Sequence, residues 1–358
     1  MQKRRPPSSV TEFRRGPWPL PFPLLPPAAG LRHTTRSTLE STMKILFWLP
    51  QSDASAWLQG LSRALPAAEL RAWQPGDTAP ADYAVVWHPP RELFAARPGL
   101  KAVFNLGAGV DAILALEREH PGTLPKDALL VRLEDSGMAP QMAEYVQHAV
   151  LRYLRRFDDY TQQQTRGEWH VLAPHPRETF TVGVLGLGVL GAQVAHAVAA
   201  LGVPVRGFSR SAKHLDGIET FSGELHGPQF DAFLDDVKLL VNLLPATPDT
   251  ENVLNARTFG KLARGAYVVN VARGTHLNEQ DLLDSLTNGT LAAATLDVFR
   301  TEPLPHDHPF WQEPRITITP HSSALTLRDE AISQIADKIE ALARGETVSG
   351  VVHAARGY

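Results

Sequence analysis

The clearest indication of the fold is the segment Phe180-Thr181-Val182-Gly183-Val184-Leu185-Gly186-Leu187-Gly188-Val189-Leu190-Gly191. A short apolar run, typical of a buried parallel strand, leads directly into G-x-G-x-x-G and a helix-like stretch at residues 192–201. The first glycine allows a tight turn, the second lets the backbone approach a pyrophosphate, and the third permits close helix packing. The stretch predicts a dinucleotide-binding unit, with these residues at the cofactor: Gly186, Gly188, Val189, Leu190 and Gly191.

The residues after the next strand-like run, 203–208, indicate which dinucleotide binds. An NAD site usually has Asp or Glu there to accept hydrogen bonds from the ribose hydroxyls, whereas this chain has Ser209-Arg210-Ser211, with Lys213 close by. A guanidinium between two hydroxyls suits a 2′-phosphate. We therefore predict NADP(H) as the preferred cofactor, with NAD(H) as the alternative if Arg210 is only a solvated loop charge.

Further along the chain, Arg273, Glu302 and His321 each follow an apolar, strand-like run. The runs are residues 266–272, 292–299 and 315–320. In an open parallel sheet, ligands bind beyond the carboxyl ends of the strands, so side chains from three such ends can meet in one crevice. A guanidinium can bind a carboxylate, an imidazole can transfer a proton, and a carboxylate can orient that imidazole. The trio predicts proton-transfer chemistry on a small anionic substrate.

Several motifs together resemble the D-2-hydroxyacid dehydrogenase family. They are the glycine fingerprint, Asn270-Val271-Ala272-Arg273-Gly274, Leu296-Asp297-Val298-Phe299 with Glu302-Pro303-Leu304, and Thr319-Pro320-His321. The resemblance runs from about Met43 to the C-terminus. Within the family, residues 137–145 and Ser209-Arg210-Ser211 look most similar to the glyoxylate/hydroxypyruvate reductase A branch.

The resemblance implies a role for each matched residue. Arg273 would hold the substrate carboxylate and 2-oxo group, His321 would protonate the carbonyl oxygen, and Glu302 would orient His321 and favour its charged form. Other matched residues would contact the cofactor, namely Leu244, Pro245, Val271, Ala272 and Asp297. The loop Leu106-Gly107-Ala108-Gly109 would receive the substrate carboxylate from the other domain.

The implied activity is NADPH-dependent reduction of small 2-oxo acids, such as glyoxylate and hydroxypyruvate, to glycolate and D-glycerate. The implied fold is α/β, with two doubly wound parallel-sheet domains: a Rossmann-type cofactor domain and a flavodoxin-like, discontinuous substrate domain. We predict residues 141–321 for the cofactor domain and residues 43–140 with 322–358 for the substrate domain. A homodimer and a cytoplasmic location are also expected.

Composition is compatible with this assignment. The 358 residues are 43% hydrophobic, which is enough for two packed domains, and the formal net charge of −3 gives no electrostatic reason to expect nucleic acid. No apolar run approaches the roughly 20 residues that span a bilayer, so no membrane partner is expected. The absence of cysteine excludes disulfides, thiolate metal sites and cysteine nucleophiles.

Residues 1–42 differ from the rest of the chain. They are rich in proline and arginine and contain only Glu12 and Glu40 as acids, so we predict a disordered extension. A transit peptide is the alternative, although the proline density disfavours an amphipathic helix. The simpler interpretation is that translation starts at Met43, because Met43 directly precedes the first strand-like run.

Three further interpretations stay open. Trp48 follows the first strand-like run and could form a wall of the substrate pocket or be an ordinary half-buried aromatic. His306-Asp307-His308 has no evident further ligand, so we predict no metal. The rival functions are an NAD-linked dehydrogenase with another substrate range and a nucleotide-sensing, corepressor-like binding protein.

Overall fold

The computed structural model describes residues 42–50, 54–95 and 97–352. The predicted N-terminal extension lies outside these ranges, apart from Thr42. Five short strands form a first parallel sheet in the order β2-β1-β3-β4-β5. They are β1 (Lys44–Trp48), β2 (Glu69–Ala72), β3 (Tyr83–Val86), β4 (Ala102–Asn105) and β5 (Leu129–Arg132). Helices α1 (Ser55–Ala64) and α9 (Arg328–Ala343) cover one face, and α2 (Asp111–Glu119) covers the other.

Seven strands form a second parallel sheet in the order β12-β11-β10-β9-β6-β7-β8. They are β6 (Val182–Leu185), β7 (Val205–Ser209), β8 (Glu219–Ser222), β9 (Leu239–Asn242), β10 (Ala266–Asn270), β11 (Leu291–Leu296) and β12 (Ile316–Ile318). One face is covered by α3 (Met138–Leu154) and α5 (Val189–Ala199), and α4 (Phe157–Arg166) follows α3. The other face is covered by α6 (Pro228–Leu234), α7 (Ala256–Phe259) and α8 (Glu279–Thr287).

The central strands are buried on both faces, which explains their continuous apolar sequences. In β3, β4, β6, β9 and β10 every residue is buried. The second sheet grows from β6 in both directions, toward β7 on one side and β9 on the other, so a topological switch point lies between β6 and β9. The predicted α/β class with two parallel sheets is confirmed, and the switch point places a ligand crevice beside Gly186.

The connection between the two sheets is formed by two helices rather than one. The sequence from Gln141 to Tyr160 is helical in character throughout, but the structure divides it between α3 and α4. The chain turns at Arg156, whose φ is +58°. The Arg156 guanidinium is bonded to Asp159, with Nε to Oδ2 at 2.6 Å, and to the Ala173 carbonyl at 3.2 Å. These contacts, one with α4 itself and one with the segment that follows it, stabilise a turn that contains no glycine or proline.

The C-terminal helix, α9, packs on the first sheet rather than on the second. Helix α9 comes after the second sheet in sequence, but it packs against α1 below the first sheet through Ile332, Ile335 and Ile339. This packing is what a discontinuous substrate domain requires. The predicted division at residues 140 and 321 remains a prediction, and Gln141 lies inside α3.

Within residues 42–50, 54–95 and 97–352, none of the helices combines the length and apolar character needed to cross a membrane.

Candidate active site

The glycine fingerprint forms the tight turn that its spacing predicts. Gly186 has φ +105°, and a Cβ there would lie 2.7 Å from the Leu243 carbonyl oxygen. A Cβ on Gly191 would lie 1.8 Å from the Gly186 carbonyl oxygen, so helix α5 can pack this closely only with glycine. At Gly188 a Cβ would meet nothing within 4 Å. The open space at the middle glycine is where a pyrophosphate can approach the backbone.

The surroundings of this turn fit a dinucleotide. Helix α5 begins at Val189 with no acidic residue in its first turn and no side-chain cap, which leaves its N–H groups available for phosphate. At the end of β7, the Ser209 hydroxyl donates to the Ser211 carbonyl at 2.8 Å. Arg210 is half exposed and lies 3.7 Å from the Asp249 carboxylate, and Lys213 donates to the Leu187 carbonyl at 2.6 Å. No carboxylate stands at residues 209–211, the place where a 2′-phosphate would lie.

Two of the predicted catalytic residues form a hydrogen-bonded pair. His321 Nδ1 lies 2.8 Å from Glu302 Oε2, and Glu302 Oε1 accepts from the Phe299 N–H at 2.9 Å. Because a carboxylate accepts, Nδ1 carries a proton. Nε2 makes no hydrogen bond within the described part of the chain, and the His321 side chain is 47% exposed. An imidazole with one nitrogen fixed and the other accessible is arranged for proton transfer.

The backbone at His321 has a left-handed conformation, with φ +53°, which is costly for a residue with a side chain. Asp297, which is fully buried, holds it there. Its carbonyl accepts from the His321 N–H at 2.8 Å, and its carboxylate accepts from the N–H groups of Ser322 and Ser323 at 2.8 and 2.9 Å. Thr319 donates to Asp297 at 2.6 Å, and Tyr145 bonds to Thr319 at 2.6 Å. Asp297 therefore shapes the loop that presents His321.

Arg273 follows β10 and lies against the opposite half of the molecule. Its Nε and Nη2 atoms donate to Asp111 Oδ1 at 3.2 and 3.1 Å, and Nη1 donates to the Ala272 carbonyl at 2.7 Å. Burial raises the pKa of the Asp111 carboxyl, but the charge and hydrogen bonds of Arg273 outweigh it, and the pKa lies below its ordinary value. Asp111, at the start of α2, is a residue that the sequence analysis missed.

Three buried asparagines were also missed, and each closes an apolar strand. Asn105 ends β4 and donates to the carbonyls of Gly107 and Gly109 at 3.0 and 2.8 Å. Asn242 ends β9 and donates to Asn270 at 3.0 Å. Asn270 ends β10 and donates to the Arg273 carbonyl at 2.9 Å. In the sequence each stands where an apolar run stops, a position that ordinary turn asparagines share.

The predicted substrate loop, Leu106-Gly107-Ala108-Gly109, follows β4. The carbonyls of Gly107 and Gly109 accept from the Asn105 side chain. The N–H groups of residues 107–109 have no hydrogen-bond partner within the described residues. The aromatic ring against this loop is that of Trp87, which a Cβ on Gly107 would approach to 2.6 Å. Trp48 instead packs edge-on against Trp73 at 5.1 Å and donates to the His88 carbonyl. Its role as a pocket wall remains a prediction.

The other predicted cofactor residues lie at the same edge of the second sheet. Val271 and Ala272 directly follow β10, and both are buried. Leu244 and Pro245 follow β9, where the Leu244 N–H donates to Asn242 Oδ1 at 3.3 Å. Gly274, next to Arg273, lies so close to the loop after β11 that a Cβ would be 1.8 Å from the Phe299 carbonyl carbon. The loops after β9, β10 and β11 are thus joined by direct contacts.

A buried histidine belongs to this assembly. His276 is fully buried, and its Nδ1 accepts from Asn242 at 2.8 Å, so the proton of the neutral ring is on Nε2. Nε2 has no hydrogen bond of normal geometry, although the Pro245 carbonyl attracts its proton. Burial, followed by the charge of Arg273, lowers the pKa of His276 from 6.5 to about 4. His276 is therefore neutral at neutral pH.

This burial predicts a pH dependence of stability. The unfolded chain binds a proton at His276 near pH 6.5 but the folded protein only near pH 4, so stability is lost as the pH falls through that window. The loss amounts to about 3 kcal/mol. We expect wild-type protein to lose about that much more unfolding free energy than His276→Gln between pH 7.5 and 4, measured by urea denaturation. His120→Gln, at an exposed histidine, is the control; an equal loss in wild type and His276→Gln would contradict the prediction.

Among the described residues, no group of three or more His, Asp or Glu side chains is arranged to hold a metal ion. His308 instead accepts from the Phe310 N–H at 3.3 Å and lies 3.5 Å from Glu279. In the part of the chain that the structure describes, it therefore has a local structural role at the start of a helical turn.

Comparisons with known proteins agree with this geometry. A sequence model described as the NAD binding domain of D-isomer specific 2-hydroxyacid dehydrogenases matches residues 148–323. The chain is 57% identical over 316 residues to the glyoxylate/hydroxypyruvate reductase A of Serratia proteamaculans, and 52% identical to that of Yersinia enterocolitica. Each alignment covers 88% of this chain and all of the relative.

Solved structures give the same result. A D-isomer specific 2-hydroxyacid dehydrogenase from Xanthobacter autotrophicus, in complex with NADPH and MES, matches with a TM-score of 0.82 and 37% identity, over 89% of this chain and all of that one. An NADPH-dependent glyoxylate/hydroxypyruvate reductase from Sinorhizobium meliloti, in complex with NADP and sulfate, matches with a TM-score of 0.79 and 34% identity, over 88% of this chain and all of that one. The predicted resemblance to the reductase A branch is confirmed. The chain belongs to the D-isomer specific 2-hydroxyacid dehydrogenase family, and it is an NAD(P)-dependent oxidoreductase.

Proposed function

We propose that this protein is an NADPH-dependent reductase of small 2-oxo acids, converting glyoxylate to glycolate and hydroxypyruvate to D-glycerate. The observation that carries the proposal is the placement of Arg273 and the His321–Glu302 pair. They follow adjacent strands at the edge of the sheet that carries the dinucleotide turn. A cation for a carboxylate and a proton donor for a carbonyl are the two groups that 2-oxo acid reduction needs.

The relatives support both the substrate class and the cofactor. Relatives 48–57% identical over their whole length have the name glyoxylate/hydroxypyruvate reductase A. The matched structures from Xanthobacter autotrophicus and Sinorhizobium meliloti contain NADPH and NADP. Ser209, Arg210 and Ser211 supply the polar, carboxylate-free turn that a 2′-phosphate requires.

In the proposed mechanism, Arg273 binds the substrate carboxylate through two parallel hydrogen bonds. The unpartnered N–H groups of Gly107 and Ala108 provide further donors from the first sheet. Bound NADPH supplies a hydride to the carbonyl carbon. The doubly protonated His321 donates the Nε2 proton to the carbonyl oxygen as negative charge develops there, and it retains the Nδ1 proton. Glu302 accepts from Nδ1 and stabilises the charged ring before the transfer.

Several residues hold the cofactor in this proposal. Gly186, Gly188, Val189, Leu190 and Gly191 receive the pyrophosphate at the start of α5. A second group lies along the ribose and nicotinamide, comprising Leu244, Pro245, Val271, Ala272 and Asp297. Because both carboxylate oxygens of Asp297 already accept from the 319–323 loop, it contributes to the nicotinamide site mainly by fixing that loop.

The role of Arg210 can be measured by the cofactor preference of a variant. Arg210 and Asp249 form an exposed ion pair, which contributes little in water, so the guanidinium can change partners to a phosphate. Losing one charge-assisted contact corresponds to about 10- to 100-fold in affinity. We expect Arg210→Gln to raise the KM for NADPH by that factor and to leave the KM for NADH nearly unchanged. The control is Arg257→Gln. It removes another exposed arginine that lies near an aspartate, Asp231, in the half of the molecule built on the second sheet. Equal effects on both cofactors would contradict the prediction.

We also propose the domain division and assembly that the family resemblance implies. Residues 43–140 with 322–358 form the substrate domain and residues 141–321 the cofactor domain, and the cleft between them closes by hinge motion. A cytoplasmic homodimer is the proposed assembly. After α4, the side chains of Trp169 and Val171 are 94% and 91% exposed, as expected of a segment that a second copy covers. The molar mass in solution, from light scattering, tests the dimer.

One assay tests the proposed function. Oxidation of NADPH and NADH is followed with glyoxylate, hydroxypyruvate, pyruvate and phenylpyruvate. We expect turnover with NADPH and with the two smallest acids. A preference for NADH or for phenylpyruvate would indicate an NAD-linked dehydrogenase of another substrate range. No turnover with any pair, together with cofactor binding, would indicate a nucleotide sensor.

A further inference from the structure

The Arg273–Asp111 ion pair connects the half of the molecule built on the first sheet with the half built on the second sheet. Arg273 follows β10 in the second sheet, and Asp111 is the first residue of α2, which covers the first sheet. Among the ion pairs between described residues, it is the one that crosses from the first sheet's half to the second sheet's half. Gly109 adjoins the contact, because a Cβ there would lie 1.6 Å from Arg273 Nη2. The substrate loop is thus in direct contact with the guanidinium through Gly109.

The hydrogen bonds of the guanidinium leave a defined pair of donors free. Arginine has five N–H donors. Nε uses its one and Nη2 one of its two on Asp111 Oδ1, and Nη1 uses one of its two on the Ala272 carbonyl. One N–H therefore remains on Nη1 and one on Nη2. These two terminal nitrogens form the end of the guanidinium, which can bind a carboxylate with two parallel hydrogen bonds.

We propose that Asp111 is a positioning residue. By accepting from Nε and Nη2, it holds the Arg273 guanidinium in the orientation that presents the terminal nitrogens to the substrate carboxylate. The inference rests on the proposed function. Asp111 accepts from Nε and Nη2 along one edge of the guanidinium, and the Ala272 carbonyl accepts one N–H of Nη1, which leaves the other to the substrate. The side chain is thereby ordered before substrate arrives, so less rotamer entropy is lost on binding.

A competing role for Asp111 predicts the opposite result. If Asp111 occupied the position of the substrate carboxylate, its removal would free Arg273 and lower the KM for the 2-oxo acid. If Asp111 orients Arg273, its removal lets the guanidinium rotate and raises that KM. The direction of the change therefore distinguishes the two roles.

The test compares Asp111→Ala and Asp111→Asn with wild type. We expect the KM for glyoxylate to rise about 10-fold in Asp111→Ala, the loss typical of one charge-assisted contact, with kcat changed by less than about 3-fold. Asn keeps an acceptor oxygen, so Asp111→Asn should recover part of the loss. The Kd of NADPH, from fluorescence titration, and the melting temperature should match wild type. Asp127→Ala, at an exposed aspartate before β5, is the matched control.

Binding of oxamate, an unreactive 2-oxo acid analogue, to the enzyme–NADH and enzyme–NADPH complexes provides a measurement without turnover. Its Kd should rise with the KM. An unchanged or lower KM and oxamate Kd in Asp111→Ala, with an active wild type, would overturn the inference and leave the proposed function intact. A wild-type enzyme that neither reduces glyoxylate nor binds oxamate would overturn both.

Discussion

Replacing His321 with alanine is expected to lower turnover by about 10² to 10⁴, the usual contribution of general acid catalysis. Alanine removes the proton donor and leaves Arg273 and the dinucleotide turn unchanged. The kcat for glyoxylate reduction should therefore fall, while the Kd of NADPH stays within about 2-fold of wild type, because a proton donor contributes to the reaction more than to cofactor binding. Steady-state kinetics and fluorescence titration measure the two quantities.

The left-handed backbone at His321 calls for a second variant. Alanine is strained at φ +53°, so a loss of activity in His321→Ala could come from the loop rather than from the proton donor. Asparagine tolerates this conformation and cannot act as a general acid. His321→Asn should show the same fall in kcat with an unchanged melting temperature, and His306→Ala, at an exposed histidine, should behave as wild type. Wild-type turnover in His321→Asn would refute the general-acid role.

Replacing Arg273 with alanine is expected to lower kcat/KM for glyoxylate by about 10³. The variant loses two charge-assisted hydrogen bonds to the substrate, each contributing roughly 1.5–3 kcal/mol. It also leaves the Asp111 carboxylate beside the substrate without its partner, which adds repulsion toward an anion. Initial rates over a range of glyoxylate concentrations, at saturating NADPH, give kcat/KM directly.

A conservative variant separates geometry from charge at this position. Lysine keeps the positive charge but offers no planar pair of donors, and it cannot bind Asp111 by one edge and substrate by the other. Arg273→Lys should therefore recover less than about 10-fold of the loss. Arg118→Ala, at an exposed arginine on α2, is the control. Full activity in Arg273→Lys would mean that charge alone is sufficient and would argue against bidentate binding.

The strands that matter for the site were predictable because they are buried on both faces. Continuous apolar runs reveal β4, β6 and β10, and the glycine fingerprint reveals the turn after β6. The edge strands β2 and β8 were not predicted. In these strands Glu69 and Glu219 are exposed and the other residues are only partly buried, so their sequences carry no continuous apolar signal.

The three proposed catalytic residues were predictable from their positions after strands, but the residues that support them were not. Asn105, Asn242 and Asn270 bind their own loops, and a single sequence does not distinguish such residues from turn asparagines. Asp111 and His276 acquire their significance from contacts with Arg273 and Asn242, which lie 162 and 34 positions away along the chain. Contacts at such separations leave no local pattern.

Sequence alone is enough to predict the parallel α/β fold, the dinucleotide turn and the residue types of the proposed catalytic trio. Periodicity, glycine spacing and apolar runs are local properties of the sequence. Each is contained in a short segment and indicates the backbone geometry and the burial of that segment. The contacts between particular atoms depend on the tertiary structure. It brought Asp111 of one half against Arg273 of the other, placed Asp297 beneath the left-handed turn of His321, and buried His276 as a neutral ring. Hydrogen bonds depend on the exact distances between groups far apart in sequence, and desolvation depends on how those groups are packed. Both are set only when the chain folds.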